Sequence, residues 1–225
     1  MKTLKLLAVL LSYPSAELVD ALPEIARRLN GEPALRRATQ DALAGLLAEL
    51  KREDLLDLQE RYVAQFDTGR ATSLHLFEHV HGDSRDRGQA MVDLNALYAH
   101  SGFVIKVNEL PDYLPALLEY LAARPAAEVH ELIEDCVHIL RAVGERLAAG
   151  GSPYAAVFAA LLDLHRAAPL ALPKGAVKAP AAHALDEEWD EAPVEFGAPP
   201  GLDAAAAHGA QQSRPQFIRF VPKNP

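Results

Sequence analysis

Between Phe66 and Met91 the chain gathers three histidines, four carboxylates and three arginines into 26 residues. One chemistry such a set offers is metal catalysis. His75-Leu76-Phe77-Glu78-His79 spells H-x-x-E-H, the inverted zinc-protease pattern, in which two histidines at i,i+4 hold zinc and the glutamate activates water. That class also needs a third ligand on a downstream helix and an edge strand for substrate. Glu128, Glu131, Glu134 or Asp135 would have to supply the carboxylate, and no strand is evident. A zinc-dependent hydrolase therefore stays a minor alternative, and neither catalytic nor metal-binding residues are expected. Nucleophilic chemistry fares no better: there is no G-x-S-x-G elbow, no Walker A loop and no G-x-G-x-x-G turn. The remaining reading is a polar network of His79, His81, Asp83, Arg85 and Arg87 that pins a loop between helices. The same groups would line a groove for a segment of another protein, because a pinned loop is a preorganised wall.

The elements that must hold this segment read as helices. Half of the 225 residues are hydrophobic and only 6% aromatic. Leu and Ala dominate, which favours helix over sheet. Leu4, Leu7 and Leu11 share a helical stripe stopped at Tyr13-Pro14, so the N-terminal run reads as a core helix rather than a signal peptide. Ser15 caps a helix through Leu18, Leu22, Ile25 and Leu29 that ends at Asn30-Gly31. Pro33 opens the next, through Leu43, Leu46, Leu47 and Leu50, and another runs from about Glu53 to Phe66. Thr72 or Ser73 caps a short helix ending at Gly82, and Asp83-Ser84 caps one from Arg85 to His100. Phe103 to Val107 reads as an extended connector. Helices from Asn108 to Leu121, Glu128 to Ala149 and Ser152 to about Ala168 complete an all-α domain over residues 1–168. From Pro169 periodicity disappears, and 169–225 reads as a largely disordered Pro/Ala-rich acidic tail, interrupted by a Trp189-to-Phe196 patch.

A net charge of −9 and a pI near 5.5 argue against a nucleic-acid partner. They suit a basic peptide or protein segment. The single cysteine, Cys136, excludes an internal disulfide and sits in an apolar helical pattern. No apolar run approaches the ~18 residues of a membrane span, so a cytoplasmic protein without stable membrane insertion is expected.

Several stretches together resemble the NarJ-type nitrate reductase assembly chaperones, also called the nitrate reductase delta subunit. These are Arg70-Ala71-Thr72-Ser73, Leu76-Phe77-Glu78-His79-Val80-His81-Gly82 and Ser84-Arg85-Asp86-Arg87-Gly88-Gln89-Ala90-Met91-Val92-Asp93-Leu94. Tyr13-Pro14, Glu109-Leu110-Pro111-Asp112 and Leu118-Glu119-Tyr120-Leu121 extend the likeness over about residues 4–196. The resemblance implies a single-domain, TorD-like helical bundle without enzymatic activity. It implies a cytoplasmic chaperone of the apo catalytic subunit of respiratory nitrate reductase, engaging its N-terminal peptide and a second surface. Such a chaperone supports molybdenum cofactor insertion before membrane docking, holds no cofactor stably itself, and extends its partners to molybdenum cofactor biosynthesis proteins. A chaperone for another molybdoenzyme is the alternative. Partner-binding candidates are Arg70, Glu78, His79, His81, Asp83, Arg85, Arg87, Asp112 and Tyr113. Two positions depart from the family pattern. His75 stands where an apolar residue is common, which makes H-x-x-E-H look accidental. The family's Pro-Asp-His reads Pro111-Asp112-Tyr113 here, and tyrosine lacks histidine's pH-dependent charge.

Overall fold

The computed structural model describes residues 2–81, 85–105 and 109–172. Asp83, the Arg85 side chain and the tail from residue 173 lie outside the described residues, so the expectations placed on them are not addressed. Among the described residues the fold is all-helical: α1 Lys2–Leu10, α2 Ala16–Asn30, α3 Arg37–Arg52, α4 Leu55–Phe66, a single 3-10 turn Arg70–Thr72, α5 Leu76–His81, α6 Arg85–His100, α7 Leu114–Ala122, α8 Ala126–Ala149 and α9 Ala155–Leu164.

Two helices are apolar almost all round and take the middle of the bundle. In α9 every residue from Ala155 to Asp163 is buried, and in α7 only Glu119 and Ala122 of Leu114–Ala122 are not. α1 lies along α7 and also touches α9, while α3 and α8 pack on α9 and α2 covers α3. The remaining helices are amphipathic and bury one stripe. Leu18, Leu22, Ile25 and Leu29 of α2 face the core, as their spacing requires, and so do Leu43, Leu46, Leu47 and Leu50 of α3. Leu4, Leu7, Leu10 and Leu11 are buried at the N-terminus, which makes that run a core helix. Cys136 is fully buried, and burial pushes its thiol up to about 12, so it is an inert core residue.

Helix starts differ from the expected ones where a distant group takes the first amide. Ser15 does cap α2, its Oγ accepting from Leu18 N at 3.3 Å. Pro33 does not open α3. The Arg36 amide donates instead to Asp163 Oδ2 at 2.8 Å, its guanidinium pairs with the same buried carboxylate, and the helix begins at Arg37. α7 starts at Leu114 rather than Asn108, because Leu110 to Tyr113 form a turn whose last residue is paired elsewhere. In place of a Ser152 hydroxyl cap, the Ser152 carbonyl accepts from Ala155 N at 3.2 Å, and α9 begins at Ala155. α9 also stops at Leu164, short of Ala168, where Arg166 turns the chain with φ 58°. The core then continues to Leu170, which lies against Phe158 and the Cβ-free face of Gly144.

Candidate functional site

The segment after α4 is tied to that helix before it crosses to its neighbours. Thr68 Oγ1 donates to the Ala64 carbonyl at 2.6 Å, and Thr72 Oγ1 donates to that of Gln65. Residues 74–76 then run extended and antiparallel to 112–114. Leu76 N donates to Asp112 O at 3.1 Å and Leu114 N to Leu74 O at 2.8 Å, so His75 and Tyr113 face each other as an isolated bridge pair. A two-residue pairing of this kind carries no alternating apolar pattern, which explains why no strand was legible.

Asp112 lies beneath the bridge with its side chain 0% exposed. One carboxylate oxygen meets His75 Nδ1 at 3.1 Å; the other accepts from Phe77 N at 3.1 Å. The second contact satisfies an amide in the first turn of α5, so this helix is capped from across the bridge rather than by Thr72 or Ser73. Ser73 Oγ instead accepts from His75 N at 3.2 Å. The hydrogen bond and charge of Asp112 hold the His75 pKa above its ordinary value, against an opposing effect of burial. Arg87 reaches from α6 to Glu78, Nη2 to Oε1 at 3.3 Å, and stands 3.9 Å from the free side of Asp112 Oδ2. α5 and α6 are joined by that arginine.

Tyrosines support the bridge from below. Tyr113 OH donates to Tyr62 OH at 2.9 Å, and Tyr62 OH donates to the Leu11 carbonyl at 2.7 Å. Tyr98 OH holds the Pro111 carbonyl at 2.8 Å. Burial raises the pKa of all three phenols, which therefore act as fixed hydrogen-bond donors.

Above this frame opens a shallow depression of about 450 Å³, lined by Phe66, Asp67, Thr68, Gly69, Arg70, Ser73, His75 and Glu78. Its rim offers carboxylates from Asp67 and Glu78 beside the Arg70 guanidinium and the His75 imidazole. Of the sequence-derived candidates, Arg70 and Glu78 line the depression, and Arg87 and Asp112 orient its walls. Tyr113 braces His75, their rings 5.4 Å apart. His79 turns inward to the Ser73 carbonyl, Nε2 to O at 2.9 Å, and His81 lies edge-on to Phe77. Asp67 and Tyr62 were missed. Asp67 reads as a mere helix stop, and nothing local in the sequence says that Tyr62 reaches residues 11 and 113.

The zinc-hydrolase alternative fails on this geometry. His75 lies before α5, not in it, so its i,i+4 relation to His79 is lost, and both rings are committed to other partners. Among the described residues, His75, Glu78 and His79 belong to no group of metal-ligating spacing.

The family model described as nitrate reductase delta subunit matches residues 32–160, a span that contains the bridge, Asp112 and the lining of the depression, though not Leu11. The chain belongs to the nitrate reductase delta subunit family. It is 41% identical over 223 residues to the nitrate reductase molybdenum cofactor assembly chaperone NarJ of Escherichia coli K12, covering 94% of each chain. NarW of the same strain, assigned as an assembly chaperone of that kind, is 40% identical, with 87% of this chain and 84% of NarW covered. A Bacillus subtilis counterpart assigned as NarJ is 33% identical over 71% of this chain and 86% of its own. These relatives are named as assembly chaperones and not as catalysts. A crystal structure from Archaeoglobus fulgidus, of a protein assigned to redox enzyme maturation, has the same fold, with TM-score 0.51 and 21% identity over 70% of this chain and 88% of that one. No helix among the described residues is long and apolar enough to cross a membrane.

Proposed function

We propose that this delta-subunit protein is a cytoplasmic chaperone that binds the apo catalytic subunit of respiratory nitrate reductase and keeps it competent for molybdenum cofactor insertion before membrane docking. The observation that carries the role is the 41% identity, over 94% of both chains, to a protein named for that work. The cofactor is the client's cargo, and the chaperone holds none of it stably. Binding an incompletely folded client and losing it once folding covers the contact surface is mass action.

The client's N-terminal peptide docks in the depression between the end of α4 and α5. Asp67 and Glu78 accept from cationic groups of the peptide, His75 and Arg70 donate to its carbonyls, and Phe66 offers an apolar floor. His79, His81, Asp112, Tyr113 and Arg87 act on this surface mainly by fixing it, and Asp83 and Arg85 add contacts to the client. The long-range pairing beneath the wall is what supports this reading, since a rim held from residues 11, 62 and 112 loses little freedom on binding. The net charge of −9 assists encounter with a basic peptide. A second client surface, and contact with cofactor biosynthesis proteins, engage other faces of the domain. The chaperone domain runs through Leu170, which is buried in its core, and residues 173–225 act as an acidic appendage to it.

Calorimetric titration with the N-terminal peptide of the same organism's nitrate reductase catalytic subunit, at two salt concentrations, tests this. Binding should weaken with salt and fall several-fold in the Asp67→Asn, Glu78→Gln double variant. Unchanged affinity in that variant removes the peptide from the depression. Absence of binding, alongside binding to the leader of a different molybdoenzyme, reassigns the client.

A further inference from the structure

The H-x-x-E-H segment holds no metal-ligating group, yet a different set of residues does. His130 and Glu134 stand at i,i+4 in the body of α8, and His165 caps the C-terminus of α9 beside them. One potential ligand atom from each lies within 4.8 Å of the others. The two imidazoles stack with centroids 4.3 Å apart and planes 25° from parallel, and His165 Nε2 is hydrogen-bonded to Glu134. We propose that His130, Glu134 and His165 form a binding site for a divalent transition-metal ion, with zinc as the ion that fits best.

The donor set of two imidazoles and one carboxylate, with a fourth position open to water, is a common zinc complement. Tetrahedral bonds of about 2.0–2.1 Å bring ligand atoms to roughly 3.3 Å of each other. The closure falls on His130, which is exposed but stacked on His165, so its ring must leave the stack and turn a nitrogen toward the other two ligands. His165 needs no adjustment of its backbone. Arg166 turns back in the left-handed region, the Arg36 guanidinium holds the Ala167 carbonyl at 2.8 Å, and that of Arg141 holds the Ala168 carbonyl at 2.6 Å. Zinc would take the place of the proton between His165 and Glu134, keeping both groups engaged while adding His130.

Charge on α8 favours the same occupant. Glu131 and Asp135 flank Glu134 on the same helix, a local excess of carboxylates that a divalent ion relieves. The bound ion would clip the end of α9 to the first half of α8. This inference does not depend on the client-peptide reading, because no residue is shared with the depression.

The test uses the full chain, free of any affinity tag and stripped with a chelator. Zinc is titrated against a competing chromophoric chelator. One ion per chain is expected, with the apparent melting temperature rising as zinc is added. His130→Ala and Glu134→Gln, both at exposed positions, should each weaken binding by about tenfold or more, whereas His100→Ala, an exposed histidine on α6, should not. Cobalt in place of zinc should give the visible absorption of a four-coordinate ion, lost in His130→Ala. No stoichiometric zinc at micromolar concentration overturns the proposal, and so does wild-type affinity in both variants with circular dichroism unchanged.

Discussion

Two regions of this molecule contain histidine and glutamate at helical spacing, and they use it in opposite ways. His75-x-x-Glu78-His79 matches a zinc motif in letters, but a two-residue bridge to Tyr113 pulls His75 out of the helix. His130 and Glu134 match no named motif, yet they stay within the first half of a 24-residue helix, and a third ligand comes from another element. Spacing along a sequence becomes spacing in space only where the backbone is regular throughout. The first region is fixed from inside by a buried carboxylate, whereas in the second only His165 is largely covered and His130 and Glu134 are exposed.

Breaking the first region should therefore cost far more stability than breaking the second. Asp112→Ala removes the acceptor of Phe77 N, the partner of His75 and the charge facing Arg87. Loss of about 3 kcal/mol is expected from urea unfolding; a loss below about 1 kcal/mol would show that α5 is not held by this cap. Tyr62→Phe should cost about 1–2 kcal/mol by leaving the Leu11 carbonyl and the Tyr113 hydroxyl without their shared partner, again read from the urea midpoint.

A smaller effect follows from pH. The His75 pKa is raised in the folded protein, so protonation favours the fold. That contribution is complete below the ordinary histidine value of about 6.5 and is lost as pH rises through the higher folded value. Unfolding free energies at pH 6 and pH 8 should differ by more in the wild type than in His75→Gln; equal differences would detach His75 from Asp112. The smallest effect belongs to the exposed cluster. Without metal, His130→Ala and Glu134→Gln should each stay within about 0.5 kcal/mol of the parent, with differential scanning calorimetry as the check. Adding zinc should separate parent from variants, sharpening the contrast between a structural carboxylate and a ligand carboxylate.

Local physics was legible where it decided the outcome. Apolar positions three and four apart in α2 and α3 marked the buried faces, and Ser15 marked a cap that the structure contains. The chemistry-rich stretch from Phe66 to Met91 does border the depression. What escaped was non-local. Asp163 reads as one polar residue in an apolar run, with no sign that it would start α3. Asp112 reads as part of the start of a helix from Asn108 and as a partner-binding candidate, but it lies before α7 and caps α5. His165 reads as the fading end of a helix. In each case the deciding partner is a residue from a distant part of the chain, outside any window a periodicity argument can use.

The pairing of Arg36 with Asp163 spans 127 residues, and it orders events in time. During synthesis the chain emerges from its N-terminus, and α2 and α3 are complete long before α9 exists. Until residue 163 leaves the ribosome, the Arg36 amide has no carboxylate to receive it, and the apolar faces of α1 and α3 lack the central helix they cover. Closing so long a loop is slow relative to forming the helices themselves. A protein whose relatives are named as assembly chaperones thus leaves its own core open until nearly the whole domain has been made.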